Sequence, residues 1–494
     1  MLNEAIFRYT IIKKAPFKDV DNMAELTKYY QGEKWEIIYG KYAGLEKRAV
    51  ELMYMTLKKY VPYICEVTAS PTDRTKRKIF IGTKSSNRLI DEKLSGITFA
   101  KNEIYYKVTK DEIIISGYDD SAVYYAACTL VDDFIPRGMD APAKHIFELI
   151  PFIDDFKNEE YRLIPSTDDR GLWTWGHVIF DYKKYIENLA RLKMNKVIVW
   201  NDFAPINAGE FVEYAHSFGV KVIWGYSWGW SQSVDFDISS DEQMREWGEK
   251  ALNIYEKQYA DTKADGIYFQ MFTETANTEQ NGVSIAKAAV KWTNYISGII
   301  LEKYPDLHIE FGLHAMSVSS QLETIAGTDQ RVSIVWEDCG DIPYSYRAEA
   351  NDGKGNTLKF TEKISSLREG NNCGAVMKSA SWLNWGIFAP QTGPYIMGVS
   401  DEEEIREKMK VRTDAMRYQE YYWIKNGESA LEIMRTFIKN AHGKAMMAQL
   451  VEDGLFERRL HLPVALFAEM CFNCDASFRD MLARLSARDY VNRI

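Results

Sequence analysis

Carboxylate side chains follow two apolar runs in this sequence. Glu274 comes two residues after the run Gly266–Phe272, and Glu337 and Asp338 come directly after the run Val332–Trp336. Cleavage of a glycosidic bond requires two carboxyl groups, one that protonates the departing oxygen and one that acts as base or nucleophile across the sugar ring. We therefore predict Glu274 as the proton donor and Glu337 as the second carboxylate, with Asp338 as its alternative. Each glutamate taken alone could equally be a salt-bridge partner.

Indoles and polar groups follow the other apolar runs. Sugar rings present apolar C–H faces that stack on indoles, so Trp228 or Trp382 is the predicted sugar platform, although both could instead pack under loops. His314 is a weaker candidate, because a histidine at a strand end is more often a hydrogen-bonded core residue. The candidate substrate-binding residues are Trp173, Trp175, Asn201, Asp202, Tyr226, Trp228, His314, Lys378, Trp382 and Asn384.

Short apolar runs alternate with amphipathic segments from Tyr161 to about Ser400. This alternation predicts parallel strands with crossover helices, and the count of eight favours a closed (β/α)8 TIM barrel in the α/β class. Reactive groups of such barrels lie at the carboxyl ends of the strands, where these candidates fall. The predicted strands are Gly171–Thr174, Lys196–Trp200, Lys221–Tyr226, Gly266–Phe272, His308–Leu313, Val332–Trp336, Gly374–Ser379 and Ile387–Ala389, the last with the weakest pattern.

Two further regions flank the barrel, which we assign to residues 156–400. Residues 1–155 are predicted as a small N-terminal α/β domain, with helices around Trp35–Tyr60 and a helix at Ala122–Phe134 that begins in the turn Gly117–Ser121. Residues 401–494 are predicted to be a C-terminal helical region, and its helices are a candidate homodimer surface. No GxGxxG or GxxxxGK[ST] motif follows a strand, so no cofactor is expected.

Charge and composition argue against several classes of partner. The 494 residues carry a formal net charge of -10 at pH 7, and no concentrated basic face offers a nucleic-acid site. No window approaches the ~18 apolar residues of a membrane span, and the chain does not begin like a signal peptide, so we expect a cytoplasmic protein. Only Cys471 and Cys474 have a CxxC spacing, and no HxH or HExxH occurs, so no metal is expected.

The order of these segments resembles a group of carbohydrate-active barrels. The segments DRGLWTW, DYKKYIENLARLKMNKVIVWND, FGVKVIW and DGIYFQMFTETAN resemble the barrels of the bacterial α-glucuronidases and, more distantly, of the β-N-acetylhexosaminidases. The preceding KDEIIISGYDDSAVYYAACTLVDDFI is similar to the small α/β domain in front of the barrel in both groups. The resemblance covers most of the chain and implies a glycoside hydrolase.

The resemblance also implies roles for individual residues. Glu274 matches the proton-donor glutamate at the end of strand four in the α-glucuronidases, and Arg170 matches the sugar-binding arginine on strand one of the hexosaminidases. Glu337 or Asp338 takes the place of a strand-six base. The chain departs from the hexosaminidase pattern at Thr273, where that group has an aspartate, so the resemblance does not imply catalysis assisted by a substrate acetamido group.

These observations together predict an exo-acting glycoside hydrolase for a small glycoside or oligosaccharide, with a carbohydrate as its partner. Two alternatives stay open. A catalytically silent barrel could bind glycans without cleaving them, because a fold alone does not guarantee chemistry. A barrel lyase or aldolase would require a buried lysine or a metal, and Lys378 is the lysine in a suitable place.

Overall fold

The computed structural model describes most of the chain in two compact units. The described residues are 35–60, 65–134, 158–228, 237–339, 354–368, 373–378, 393–441, 445–451, 456–488 and 490–492. The units are Met1–Ile164 and Pro165–Ile494. Among the described residues, no helix combines the length and the apolar character needed to cross a bilayer.

The first unit is built on a six-stranded sheet. Its elements, in chain order, are β1 (Trp35–Tyr39), α1 (Gly44–Tyr60), β2 (Glu66–Thr68), β3 (Arg77–Ile81), α2 (Arg88–Lys93), β4 (Ile104–Val108), β5 (Glu112–Gly117), α3 (Asp120–Thr129) and β6 (Glu159–Leu163). The strand order is β2-β1-β3-β5-β4-β6, and β4 runs antiparallel to both of its neighbours. The Asp119 side chain caps α3 by accepting a hydrogen bond from the Ala122 N–H, within the turn that the sequence predicts.

The helical prediction for Trp35–Tyr60 is correct only from Gly44 onward. Trp35–Tyr39 forms β1, which pairs in parallel with both β2 and β3. Its sequence WEIIY is a short apolar run, and periodicity alone does not distinguish a buried strand from a buried helical segment over so few residues.

The second unit is a closed barrel of eight parallel strands. Its elements, in chain order, are β7 (Asp169–Trp175), α4 (Tyr182–Arg191), β8 (Lys196–Trp200), α5 (Ala208–His216), β9 (Lys221–Gly225), α6 (Asp241–Ile254), β10 (Gly266–Gln270), β11 (Glu279–Gln280), β12 (Val283–Ser284), α7 (Ile285–Lys303), β13 (His308–Leu313), α8 (Leu322–Ile325), β14 (Val332–Cys339), α9 (Lys354–Ser365), β15 (Cys373–Met377), α10 (Glu402–Asn440), β16 (Met446–Leu450), β17 (Leu460–His461), α11 (Leu462–Phe472), α12 (Phe478–Ala487) and β18 (Val491–Asn492). Around the barrel the order is β7-β8-β9-β10-β13-β14-β15-β16, and β16 pairs with β7 to close it. The predicted (β/α)8 TIM barrel is confirmed.

The eighth barrel strand is β16, so its predicted position at Ile387–Ala389 is wrong. Ile387–Ala389 lies outside the described residues, and β16 follows the long helix α10 inside the region predicted to be helical throughout. The sequence of β16, MMAQL, has no β-branched residue and so lacks the strand signal that the other barrel strands carry. Its five residues are nevertheless buried, because both of its neighbours in the barrel are strands.

A buried ionic network occupies the amino-terminal end of the barrel. The Lys196 ammonium pairs with Glu310, whose Oε1 is also 2.8 Å from Nε2 of His308. Asp169 adds a second carboxylate, 3.6 Å from Lys196 Nζ and 2.7 Å from Lys221 Nζ. Burial opposes ionisation of Asp169, but the two lysines lower its pKa to about 2. The side chains of Lys196 and Glu310 are each only 1% exposed, so neither charge has water as a substitute partner.

We predict a large loss of stability when one charge of this network is removed. Lys196→Met leaves the Glu310 carboxylate buried beside His308 alone, and breaking a buried ion pair in this way costs about 3–5 kcal/mol. Urea unfolding monitored by circular dichroism should measure that loss in the free energy of unfolding. The double variant Lys196→Met/Glu310→Leu should recover much of it, since no uncompensated charge remains. A single variant as stable as the parent would contradict the prediction.

Candidate active site

Three neighbouring barrel strands bring two carboxylates to one histidine. Glu274 lies in the segment after β10, His314 directly follows β13, and Glu337 lies on β14. Oε2 of Glu337 is 3.2 Å from Nε2 of His314, and Oε2 of Glu274 is 4.0 Å from the same nitrogen. The strands are parallel, so these groups meet at the carboxyl ends, which is the face where TIM-barrel sites form.

Glu337 is buried among groups that favour its ionised form. Gln270 on β10 donates a hydrogen bond from Nε2 to Glu337 Oε1, and His314 lies beside the other carboxylate oxygen. Burial alone would raise the pKa of Glu337, but the charges of His314 and Lys378 and the hydrogen bonds from His314 and Gln270 outweigh it and lower the pKa below its usual value. Glu337 is therefore an anion at neutral pH.

Backbone features make room for this carboxylate. A Cβ on Gly312 of β13 would collide with the Tyr268 hydroxyl and with Oε2 of Glu337, so a larger residue there would displace these side chains. On β14, Trp336 pairs with Ala375 and Cys339 pairs with Met377, so β14 has one extra residue in a β-bulge. Bulges of this kind re-aim side chains next to active sites. Glu337 and Asp338 occupy the bulge, and the Asp338 side chain lies outside the part that the structure describes.

The segment that carries Glu274 is tied to the segment after β13. The Thr273 hydroxyl oxygen accepts a hydrogen bond from the His314 N–H at 3.1 Å, and the Ser317 hydroxyl donates to the Thr273 carbonyl oxygen at 2.7 Å. Both threonine and serine are buried. The Glu274 side chain is 44% exposed, in contrast to the 4% of Glu337. One carboxyl of the pair thus faces solvent and the other is enclosed.

Aromatic rings fill the barrel next to this pair. Trp173 stacks on Trp200 with centroids 5.8 Å apart and meets Trp175 edge-on at 4.7 Å. Tyr268 contacts both Trp173 and Trp200 edge-on at 6.2 Å. These rings belong to one buried cluster inside the barrel, and substrate binding by Trp173 and Trp175 stays a prediction.

The remaining described candidates near the carboxyl ends are polar. Asn201 directly follows β8 and is buried, whereas its neighbour Asp202 is exposed and accepts a hydrogen bond from the Ser227 N–H at 3.0 Å. Lys378 directly follows β15, is half-buried, and acts on the charge of Glu337. Trp382 and Asn384 lie outside the described residues.

Three predicted substrate-binding residues point away from the barrel interior, and their assignment is wrong. Arg170 is the second residue of β7, at the opposite end of the barrel, and donates to the carbonyl oxygens of Lys193 and Thr167. Side chains alternate between the two faces of a strand, so Arg170, between Asp169 and Gly171, faces outward. Its guanidinium lies 5.3 Å from the Phe472 ring of α11.

Tyr226 and Trp228 are the other two corrections. The Tyr226 hydroxyl donates a hydrogen bond to the Ala251 carbonyl oxygen on α6 at 3.1 Å. This bond attaches the helix to the barrel. Trp228 is fully buried and stacks on Phe269, with centroids 3.7 Å apart. Trp228→Ala would therefore leave a cavity in a packed layer, and its effect would be on stability rather than on a sugar platform.

Sequence reasoning missed several residues at the carboxyl ends. Gln270 donates a hydrogen bond to Glu337, and Gly312 leaves room for its carboxylate. The Tyr395 hydroxyl lies at the end of β7, where it would collide with a Cβ on Gly176. Gln270 is the last residue of β10 and could have been identified as a polar group ending an apolar run. Gly312 and Tyr395 carry no such signal, because their roles depend on contacts with residues that are distant in the sequence.

Among the residues that the structure describes, no cluster of three or more histidine, cysteine, aspartate or glutamate side chains could hold a metal ion. The chemistry available at the carboxyl ends of the described strands is that of a carboxylate pair, an imidazole, an amide and an ammonium group.

Comparisons with known proteins identify structural neighbours only. No protein-family model matches the chain, and no curated protein matches it. The solved "Structure of CpGH84B" has a TM-score of 0.53 at 11% identity, covering 91% of this chain and 70% of that one. A solved "GH138 enzyme targeting pectin rhamnogalacturonan II" has a TM-score of 0.51 at 10% identity, covering 90% of this chain and 52% of that one.

A third solved structure, "Structure of CpGH84D", has a TM-score of 0.42 at 14% identity and covers 71% of this chain. The chain spans 57% of CpGH84D and 52% of the GH138 enzyme, little more than half the length of each. CpGH84B and the GH138 enzyme share the barrel fold of this chain, and at these identities the likeness concerns the fold.

Proposed function

We propose that the chain is a glycoside hydrolase in which Glu274 and Glu337 form the catalytic carboxyl pair. One observation carries the proposal: both carboxylates lie within 4.0 Å of His314 Nε2, at the carboxyl ends of three consecutive barrel strands. The separation of Glu274 Oε2 from Glu337 Oε2 cannot exceed the sum of their two distances to that nitrogen. A separation below this limit is compatible with the ~5–5.5 Å of retaining glycosidases and with the lower part of the ~6.5–9.5 Å of inverting ones.

The two carboxyl environments suit different roles. Glu274 is the proton donor, because its half-exposed side chain can reach a departing glycosidic oxygen and exchange its proton with water. Glu337 is the base or nucleophile, because His314, Gln270 and Lys378 favour its anionic form. As the bond from the anomeric carbon to the leaving oxygen breaks, that oxygen takes the proton of Glu274. Glu337, or a water that it deprotonates, forms the new bond to the anomeric carbon.

The substrate class in this proposal is a small glycoside or oligosaccharide cleaved from its end. The carboxyl pair at the carboxyl ends of the barrel strands supports a glycoside substrate, and the names of the neighbours CpGH84B and the GH138 enzyme carry glycoside hydrolase designations. An α-glucuronidase-like or hexosaminidase-like specificity, the role of Asp338 as the alternative carboxylate, a cytoplasmic location and a homodimer through the C-terminal helices stay predictions.

A panel of aryl glycosides tests the proposal. The panel should include p-nitrophenyl uronides, N-acetylhexosaminides, hexosides and rhamnosides, with the variant Glu337→Gln as the control for contaminating hydrolases. Release of nitrophenol by the parent chain and not by the variant would support the proposal. Binding of the corresponding free sugars without any hydrolysis would overturn it in favour of a silent glycan-binding barrel.

The environment of Glu337 also predicts how activity depends on pH. Its pKa lies below the usual value, so the acidic limb of the kcat/KM profile should lie below the pKa of a free glutamate, about 4.3. His314→Gln removes the strongest favourable charge, so the pKa of Glu337 should rise and the acidic limb should move to higher pH. The other charged groups facing Glu337, Lys378 and Glu274, are unchanged in this variant. Rates measured from pH 3 to 9 decide the matter, and an acidic limb that stays in place would refute the prediction.

A further inference from the structure

The segment around Tyr395 is attached to the segment that follows β8. The Ile206 N–H donates to the Tyr395 carbonyl oxygen at 2.7 Å. Asn207 forms two hydrogen bonds with Met397, donating from Nδ2 to the carbonyl oxygen and accepting at Oδ1 from the N–H, each at 2.9 Å. These bonds fix the position of the Tyr395 side chain at the carboxyl ends of the barrel strands.

Two buried polar atoms lie beside each other in this place, and neither forms a hydrogen bond of normal geometry with the described residues. The Tyr395 hydroxyl lies against Gly176, immediately after β7, and is shielded from solvent although its ring is partly exposed. Nδ2 of Asn201, immediately after β8, is likewise buried, and the Tyr395 hydroxyl is its neighbour. Oδ1 of Asn201 accepts a hydrogen bond from the Phe203 N–H at 3.2 Å. Burial raises the pKa of Tyr395, with the nearby Asn201 amide acting in the opposite direction, so the hydroxyl keeps its proton at neutral pH.

Unsatisfied buried donors are costly, and their chemistry indicates what would satisfy them. A ligand hydroxyl can accept a hydrogen bond from the Asn201 amide and exchange another with the Tyr395 hydroxyl. An anionic group is not required, because neither protein group is charged. The ends of β7 and β8 also carry Trp175 and Trp200, which are register partners and belong to the buried aromatic cluster of the barrel.

We propose that the Tyr395 hydroxyl and the Asn201 amide form a binding subsite for one neutral hydroxyl group of the sugar. This inference rests on the proposed function and adds to it, because the subsite lies at β7 and β8 while the carboxyl pair lies at β10 and β14. Tyr395 binds substrate in this assignment and takes no part in proton transfer.

Removal of one hydroxyl tests the subsite. Tyr395→Phe should weaken binding of the glycoside identified by the aryl panel about tenfold, as expected for one neutral hydrogen bond in a buried site, and should act mainly on KM. Monodeoxy analogues of that glycoside identify the contact: for the analogue that lacks the bound hydroxyl, the parent and Tyr395→Phe should have equal KM. Titration calorimetry with the free monosaccharide gives the same comparison without turnover.

A matched control separates this contact from a general effect of losing a buried tyrosine hydroxyl. The Tyr185 hydroxyl on the surrounding helix α4 is also buried, beside the Thr174 side chain, so Tyr185→Phe makes the same chemical change outside the barrel interior. Tyr185→Phe should leave KM unchanged. Hydrolysis by Tyr395→Phe with parent-like KM on every analogue would overturn the subsite while leaving the proposed function intact. A parent chain that neither hydrolyses nor binds any sugar of the panel would overturn both.

Discussion

Replacing Glu337 by glutamine should lower kcat on any glycoside substrate by at least about 10³-fold, near the upper part of the range for losing a general base. Glutamine keeps the shape of the side chain and can still accept the hydrogen bond from Gln270, but it cannot take a proton or attack the anomeric carbon. The measurement is steady-state hydrolysis of the best glycoside of the panel. Circular dichroism should show a folded protein with the parent's secondary structure.

An exposed glutamate provides the control for this variant. Glu302 lies on α7 on the outside of the barrel, and Glu302→Gln should retain parent activity. Full activity in Glu337→Gln would remove Glu337 from the mechanism and transfer the role to Asp338, which Asp338→Asn would then test. If instead Glu337→Gln is inactive, the anomer released first by the parent, observed by proton NMR, distinguishes a nucleophile that retains configuration from a base that inverts it.

The strands that position the site could be predicted wherever an apolar run contains β-branched or aromatic residues. Lys196–Trp200 and His308–Leu313 have the predicted bounds, and the other described strands differ by only a few residues. Met446–Leu450 could not be found in this way, because methionine, alanine and glutamine fit a helix as readily as a strand. Its strand state depends on the pairing with β15 and β7, which closes the barrel.

The positions of the strands were easier to predict from the sequence than the directions in which their side chains point. Proximity to an apolar run identified Glu274, His314 and Glu337, which the structure brings together. The same criterion selected Tyr226 and Trp228, whose side chains pack outside the barrel against α6 and Phe269. The bulge on β14 further alters which residues face inward, and no single-sequence signal predicts such a bulge.

The contrast between the two carboxyl groups suggests how the roles can be separated by experiment. Glu337 is enclosed by the imidazole and amide that favour its charge, whereas Glu274 stands in an exposed segment fixed through Thr273 and Ser317. A change at Glu337 should therefore affect every substrate. A change at Glu274 should affect a substrate only to the extent that its leaving group needs a proton.

Glu274→Gln should abolish measurable turnover of alkyl glycosides, with a loss of about 10²–10⁴-fold, while sparing much of the activity on 2,4-dinitrophenyl glycosides. An alkoxide is a poor leaving group and needs the proton of Glu274, whereas dinitrophenolate departs without one. The measurement is kcat/KM for a series of leaving groups of falling basicity. Its slope should become steeper in Glu274→Gln than in the parent and in Glu279→Gln, an exposed glutamate on the hairpin strand β11 that serves as control. An equal loss on all leaving groups would assign Glu274 to substrate binding or to positioning His314, and undiminished activity on all of them would exclude it as the proton donor.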